Sequence, residues 1–362
     1  DDHFQVTIVA IPNKKELPGL LLDHEEYASE GAETFWAAYG CLKGYDYETG
    51  EWLDLRSLKP DYVFFQQPYN TTRPTGYQSG EVSQYAKILY IPYGMWLIGG
   101  EVFESTHPAD FLNDVSYDFC PHQLAAQDLR RWLQQNDNRG YTQIVVTGFP
   151  RFDQFRKPVK EEASAWVYKG KGKKFRVLWT PRWCTNEGNC TFFDYKDRVL
   201  AYAKNHPEVE IVFRPHPQAF SEWNATGEMP KEEQVHFREA CREAGITIDE
   251  SGEYIHTIRT ADCFLTDPSS LLSEYFLTGK PVLYTYRLDC LTTYGNALSE
   301  GFFFCHDWSE VESELEKLVH GEDRLKGKRQ AMMKDPELYS QPEEGSGVFI
   351  KKLILKDAYG IE

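Results

Sequence analysis

Short apolar runs alternate along the chain with longer stretches in which apolar residues recur at helical spacing. Most of the runs end at Gly, Pro or a polar cluster, which is typical of buried strands. Strands are predicted at 6–11, 62–65, 88–91, 144–146, 175–179, 209–213, 246–248, 263–265 and 281–284. Helices are predicted at 25–39, 123–135, 195–205, 231–244, 254–259, 269–278, 310–320 and 348–355. This alternation predicts an α/β protein with parallel sheets.

A charged, Gly- and Lys-rich stretch at 157–174 interrupts the alternation, and the pattern restarts after it. A chain of 362 residues is also too long for one ordinary core. We therefore expect two Rossmann-like domains that face a central cleft, at residues 1–160 and 161–345. By analogy with such folds, the terminal helix within 346–362 is expected to cross back to the first domain.

Composition narrows the function. The net charge of −17 argues against general affinity for nucleic acid or anionic membranes. The eight cysteines are scattered without a CxxC pair, which predicts free thiols in a reducing cytosol and no metal site. The first strand lacks a basic leader, and no apolar run approaches the roughly 18 residues of a membrane span, so a cytoplasmic protein is expected. Walker, GxGxxG, HExxH and GxSxG motifs are absent from the sequence.

Two motifs directly follow predicted strands of the second half: Arg-Pro-His-Pro at 214–217 and Thr-Asp-Pro-Ser-Ser at 266–270. Parallel α/β sheets bind ligands at this carboxyl edge. In the first motif, two prolines restrict the backbone around Arg214 and His216. The guanidinium suits phosphate oxygens, and the imidazole could donate to a phosphate charge or protonate a leaving group. The alternative is a rigid turn with a surface histidine.

The second motif predicts an anion site at a helix start. Thr266 or Asp267 would cap the helix, while Ser269 and Ser270 would present hydroxyls and amides to a phosphate. Glu274 follows one turn later and could accept hydrogen bonds from ribose. The alternative is a well-capped helix with a solvated glutamate.

Other strand ends supply further candidates. Arg182 could meet phosphate and Trp183 could stack on a base or sugar, unless they only fill an inter-domain contact. The acceptor-side candidates at or near strand ends of the first domain are Gln66, Tyr93, Gly94, Arg151 and Asp153. Further along, His107 and His122 are possible bases, and the alternative is that they are surface residues. Among them, Tyr93 is the expected hydrogen-bonding or acid/base group.

Four segments together resemble the CDP-glycerol glycerophosphotransferase family, which contains teichoic acid primases and polymerases. They are Thr-Gly-Phe-Pro-Arg at 147–151, Val-Leu-Trp-Thr-Pro-Arg-Trp at 177–183, Phe-Arg-Pro-His-Pro at 213–217, and the segment from 266–270 through Gly-Lys-Pro-Val-Leu-Tyr at 279–284. The resemblance implies a GT-B fold, with an acceptor-side first domain and a nucleotide-donor second domain. It implies transfer of an alditol phosphate from a CDP-activated donor to a hydroxyl, with CMP leaving, in the synthesis of teichoic acid or capsule.

By motif match, the resemblance places His216 and Arg214 at the donor phosphates, Ser269 and Ser270 on phosphate oxygens, and Glu274 near the ribose. It implies a lipid-linked or polymer acceptor at the inner membrane face, with peripheral membrane contact. Beyond the CDP donor, which is a substrate, no cofactor is expected, since Arg, His and helix amides meet the charge without a metal.

One departure keeps alternatives open. The family usually has a His-Gly-Thr-Pro turn whose histidine is the proposed base, and here the aligned residues are Tyr93, Gly94, Met95 and Trp96. Another group must then activate the acceptor, or the chemistry differs. A GT-B glycosyltransferase using a nucleotide sugar, a sugar-nucleotide epimerase and an inactive polymer-binding module therefore remain alternatives.

Overall fold

The computed structural model describes residues 3–11, 13–14, 27–28, 40–46, 48–99, 101–136, 141–285 and 291–360. The strands are β1 Val9–Ala10, β2 Asn13–Lys14, β3 Tyr27–Ala28, β4 Leu42–Lys43, β5 Tyr45–Asp46, β6 Glu51–Trp52, β7 Tyr62–Phe65, β8 Lys87–Tyr90, β9 Val115–Cys120, β10 Gln143–Val146, β11 Phe175–Thr180, β12 Val209–Phe213, β13 Thr247–Ile248, β14 Cys263–Thr266, β15 Val282–Thr285 and β16 Phe303–Cys305.

The α-helices lie between and after these strands. They are α1 Ser79–Val82, α2 Glu101–Thr106, α3 Ala109–Asp114, α4 Gln123–Gln135, α5 Phe192–Asn205, α6 Ala219–Ala225, α7 Lys231–Glu243, α8 Ile255–Thr260, α9 Leu271–Phe276, α10 Thr293–Ser299, α11 Trp308–Val319, α12 Lys326–Met332 and α13 Ser346–Tyr359. Short 3₁₀ helices span Leu55–Leu58, Asn70–Thr72, Thr75–Tyr77, Pro150–Arg156 and Glu161–Ala163.

Two parallel sheets form the framework, which confirms the α/β prediction. The first has four strands in the order β10-β9-β8-β7, and α4 packs on it through Ala126, Leu129 and Leu133. The second has six strands in the order β13-β12-β11-β14-β15-β16. The middle strands of this second sheet are buried along their length, which is why they read as continuous apolar runs.

The register of the second sheet brings the sequence motifs to one edge. Thr180 of β11 lies beside Thr266 of β14, and Trp179 lies beside Phe213 of β12. The chain therefore leaves three neighbouring strands at the same level, just before Arg182, His216 and the serines of the second motif. This is the carboxyl edge, where ligands bind in open α/β sheets.

The first half differs from its prediction in several places. The predicted first strand is reduced to β1, which pairs with β4 and lies outside the four-stranded sheet. Strand β9 was missed, because Asp118 and Ser116 break its apolar pattern although Asp118 is buried. The helix predicted at 25–39 falls outside the described residues except at β3, which is extended.

Contacts join the two halves around the segment that follows β8. Met95 and Leu97 pack in the same core as Leu272 of α9, and Ile98 forms a β-bridge with Leu291. Helix α13 lies on the first sheet, where Ile350 packs against Leu89 and Phe119. The two sheets lie on either side of residue 160, and the division of the chain at 160 and 345 stays a prediction.

Candidate functional site

His216 stands just past β12 with its ring held in place. The ring stacks on Trp183, with 5.1 Å between ring centroids, and its Nδ1 accepts the backbone N–H of Gln218 at 3.2 Å. Desolvation, with the nearby Arg182 guanidinium, lowers the pKa of His216 to about 4. The ring is therefore neutral near pH 7, and because Nδ1 accepts, its proton lies on Nε2.

Arg182 lies beside this pair, past the end of β11. Its Nε donates to Glu187, and Nη1 lies 3.4 Å from the carbonyl oxygen of Pro268. The first and second motifs and the strand end before Trp183 thus meet at one place. Trp183 is stacked on His216 rather than left as a free platform, and its carbonyl accepts a hydrogen bond from Trp223 Nε1 at 2.8 Å.

Ser269 and Ser270 follow Pro268 and lead into α9. Ser270 is exposed, and Ser269 Oγ accepts the Leu271 N–H at 3.2 Å. Across the cleft lies the turn of the first domain: a Cβ added to Gly94 would come 3.7 Å from Ser270 Cβ. The structure therefore brings the turn predicted to meet the acceptor close to the motif predicted to bind the donor.

Thr266 and Asp267 do not cap the helix, which corrects that prediction. Asp267 is fully buried and accepts from the backbone N–H groups of Arg182 (2.9 Å) and Thr191 (2.8 Å) and from the hydroxyls of Thr191 (2.6 Å) and Thr285. Thr266 Oγ1 donates inside the sheet to backbone carbonyls. Both residues connect the ends of neighbouring strands through hydrogen bonds. The Asp267 carboxylate already accepts hydrogen bonds from four donors within the protein.

Arg214 is also engaged within the protein. Its Nη1 donates to Asp249 at 2.7 Å and its Nη2 to the Ser251 carbonyl at 2.8 Å. The guanidinium lies over the ring of Tyr254, 5.1 Å from its centroid. The guanidinium that was predicted to bind phosphate is thus directed at Asp249. The Nε2–H of the nearby His216 stays available to a ligand.

Arg151, Tyr254 and Glu274 form a closed triangle of hydrogen bonds. Arg151 Nη1 donates to Glu274 Oε1 at 3.0 Å and to the Tyr254 hydroxyl at 2.9 Å, and Tyr254 donates to Glu274 Oε2 at 2.9 Å. Glu274 is only 2% exposed, and desolvation raises its pKa although Arg151 opposes the shift. Arg151 Nη2 also reaches the Tyr93 carbonyl, at 3.4 Å. Glu274 is thus bound to the first domain, not solvated.

The region predicted to meet the acceptor is aromatic. The Tyr93 and Tyr69 hydroxyls are 2.8 Å apart, and the Tyr93 ring meets Trp96 edge-on. Desolvation and the bond to Tyr69 raise the pKa of Tyr93, so its phenol stays protonated. Gln66 lies exposed just after β7.

Other candidates have structural roles. His107 and His122 are buried, and burial lowers their pKa values to about 4 and about 3. His122 caps α4 through Ala125 N and stacks on Tyr294, while His107 Nδ1 bonds the Phe103 carbonyl at 2.8 Å. Asp153 accepts the Ser346 and Gly347 N–H groups at the start of α13, whereas Arg151, the other residue predicted to line the cleft, reaches the Tyr93 carbonyl.

Sequence reasoning missed Tyr254 and Glu187, which contact motif residues. Tyr69, whose hydroxyl bonds that of Tyr93, follows Gln66 at a strand end already predicted to meet the acceptor. The described residues contain no group of three or more His, Cys, Asp or Glu side chains placed to hold a metal ion. In that same part of the chain, no helix combines the length and apolarity needed to cross a bilayer.

Solved structures with the same fold include enzymes of two kinds. A putative UDP-N-acetylglucosamine 2-epimerase from Listeria monocytogenes matches at 14% identity with a TM-score of 0.57, covering 85% of this chain and 76% of that one. The S. aureus MnaA–UDP structure matches at 14% with 0.57, covering 90% and 86%. A CDPG-soaked variant of the wall teichoic acid polymerase TagF matches at 15% with 0.54, covering 82% and 72%. These likenesses establish the GT-B fold.

No curated protein sequence matches the chain. The family model of CDP-glycerol:poly(glycerophosphate) glycerophosphotransferase matches residues 109–304, more than half of the chain. The match spans β9 to β16 and includes the donor-side motifs and Arg151. The chain is therefore a transferase that belongs to the CDP-glycerol:poly(glycerophosphate) glycerophosphotransferase family.

Proposed function

We propose that the protein transfers an alditol phosphate from a CDP-alditol donor such as CDP-glycerol to an acceptor hydroxyl and releases CMP. The acceptor oxygen forms a bond to the donor's β-phosphorus, and the bond from that phosphorus to the bridging oxygen breaks. CMP leaves with the electron pair, and the acceptor proton passes to solvent. The observation that carries the proposal is the neutral His216, held with Nε2–H available beside Arg182 and the two serines.

The donor diphosphate would lie between His216, Arg182 and the segment Ser269–Ser270. A neutral imidazole with its proton on Nε2 donates a fixed hydrogen bond to a phosphate oxygen as charge develops there. Binding of the anion would raise the pKa of His216 from its ligand-free value, because negative charge favours the imidazolium. Arg182 would supply the positive charge after sharing or leaving its contact with Glu187.

The acceptor would approach from the Tyr93–Gly94 turn, which faces Ser270. With its phenol protonated, Tyr93 would orient the acceptor hydroxyl, together with Tyr69, rather than remove its proton. In this proposal, positioning of the acceptor and stabilisation of charge on the phosphate carry the catalysis, so no strong base is assigned. We propose that no metal or cofactor is required, that a lipid-linked or polymer acceptor is used, and that the reaction takes place at the inner face of the cell membrane.

The test begins with thermal shift and calorimetry using CDP-glycerol, CDP-ribitol, CMP, UDP, GDP and nucleotide sugars, with and without EDTA. Selective stabilisation by cytidine ligands, followed by CMP release on turnover, is expected. Selective binding of UDP or GDP ligands would favour the glycosyltransferase or epimerase alternatives, and absence of binding would favour the inactive module. A loss of turnover with EDTA would contradict the metal-free mechanism.

His216→Ala should abolish CMP release while leaving the unfolding transition intact. His236→Ala is a matched control, because His236 is an exposed histidine on α7. Retained turnover in His216→Ala would remove this residue from the mechanism. Co-sedimentation with anionic vesicles would test the membrane location separately.

A further inference from the structure

We propose that Tyr254 and Arg151 are positioning residues that keep Glu274 ionised and hold the acceptor-side turn against the donor segment. The expected effect on turnover rests on the proposed function. The expected effect on the position of the Tyr93–Gly94 turn rests on the hydrogen bonds alone. Tyr254 belongs to none of the motifs found in the sequence, and it lies just before α8.

Arg151, Tyr254 and Glu274 join the two halves of the chain through their triangle of hydrogen bonds. Each of the three side chains contacts the other two, at 2.9 to 3.0 Å, and both Glu274 oxygens are used. Arg151 precedes the second sheet in the chain, whereas Tyr254 and Glu274 flank β14, so the triangle crosses the junction between the halves. Nη2 of Arg151 reaches the Tyr93 carbonyl, and this contact joins the triangle to the turn that faces Ser270.

The charge of Glu274 depends on its neighbours. Glu274 is buried, so its ionised form depends on the groups that face it. These are Arg151, Tyr254 and, more distantly, Arg214, and all three lower its pKa against the larger effect of desolvation. Burial and the neighbouring Glu274 raise the pKa of Tyr254, so its hydroxyl stays protonated and donates. Losing that donor would favour protonated Glu274, which binds Arg151 less strongly.

Tyr254 also contacts the Arg-Pro-His-Pro motif. The Tyr254 ring lies under the guanidinium of Arg214, two residues from His216. A Tyr254→Phe change keeps this ring contact and removes only the hydroxyl. The variant therefore separates hydrogen bonding to Glu274 from packing against Arg214.

The experiment compares the wild type with Tyr254→Phe, Arg151→Met and Tyr62→Phe. Tyr62→Phe is the matched control, because its hydroxyl also donates to a carboxylate, Asp357 on α13, at 2.5 Å, away from the cleft. Hydrogen exchange of ligand-free protein is measured for amides 93–97. Exchange there should accelerate about tenfold or more in Tyr254→Phe and Arg151→Met and not in Tyr62→Phe. Equal exchange in all four proteins would overturn the proposal.

Turnover supplies the second readout. In Tyr254→Phe the acid limb of the kcat–pH profile should move upward by about one pH unit, with kcat falling more than the donor KM rises. A residue with only a structural role would lower stability without moving this limb, and an unmoved limb would overturn the catalytic part. If the wild type itself releases no CMP, the proposed function fails, and the exchange measurement still decides the positioning role.

Discussion

Asp118 is a carboxylic acid buried inside the first sheet, and its charge state should contribute to how stability depends on pH. It lies on β9, between β8 and β10, and is 1% exposed. The Cys120 thiol donates to it at 3.5 Å, which is a weak contact. Burial raises the pKa of Asp118 to about 7, and the thiol only partly opposes this. The folded protein therefore keeps a proton here that the unfolded chain releases near pH 4.

The magnitude follows from the two pKa values. Because the folded-state pKa is raised, the folded state binds more protons than the unfolded state between about pH 4 and pH 7, so stability falls as pH rises through this range. Between pH 5 and about pH 7, a span of about two pH units, the folded state binds this proton and the unfolded state does not. At 1.36 kcal/mol for each unit, the loss is about 3 kcal/mol.

The assay is urea unfolding of the wild type and Asp118→Asn at pH 5 and pH 8. Asparagine has nearly the same shape and does not titrate, so its fixed packing cost cancels in the comparison between the two pH values. Relative to the wild type, Asp118→Asn should gain about 3 kcal/mol of stability between pH 5 and pH 8. Asp61→Asn, which removes an exposed carboxylate, controls for the change in net charge.

Parallel pH curves for the wild type and Asp118→Asn would refute the reasoning. Such a result would mean that the carboxylate is hydrated in the folded state. A cavity of about 20 Å³, lined by Asp118 among others, has room for about one water molecule, which could hydrate the carboxylate.

Three further predictions concern the fold and the site. Asp357→Asn should lower the free energy of unfolding by about 1–3 kcal/mol in urea, because Asp357 anchors α13 to the first sheet. The pKa of Asp357 is lowered in the folded state, so its contribution to stability should be lost as pH falls below about 4. Gly148→Ala should destabilise by about 1–3 kcal/mol, because φ is +73° and a Cβ would lie 2.5 Å from Ser346 Oγ; an unchanged melting temperature would contradict this. Replacing Ser269 and Ser270 together by Ala should weaken CDP binding about tenfold in calorimetry, and equal affinity would place the phosphates elsewhere.

The sequence was sufficient for the framework because the second sheet is buried on both faces. Strands such as β12 and β14 appear as unbroken apolar runs, and their bounds match the prediction to within a residue. Strand β9 was not predictable in this way, since a polar residue at a buried position is indistinguishable in sequence from an exposed one. Short strands such as β1 also depend on distant pairing partners that periodicity does not reveal.

The sequence predicted that the candidate residues lie near one another, and only partly how they pair. Residue types after each strand end identified where His216, Arg182 and Ser270 would gather. What the residue types could not show was which charges pair with each other. Asp267 matched the pattern of a cap and is instead a buried tie between strand ends, because its four donors come from segments far apart in the chain.

This internal pairing has a consequence for how an anionic donor is recognised. Arg182 pairs with Glu187, Arg214 with Asp249 and Arg151 with Glu274, so each of these three guanidiniums is matched by a carboxylate. In a chain of net charge −17, these matched pairs add no net positive charge to the cleft. If the donor binds as proposed, its diphosphate would compete with Glu187 for Arg182, and the decisive contacts would be directional hydrogen bonds from His216 and the two serines. Recognition of this kind favours a ligand whose phosphates fit those donors over a simple anion of equal charge.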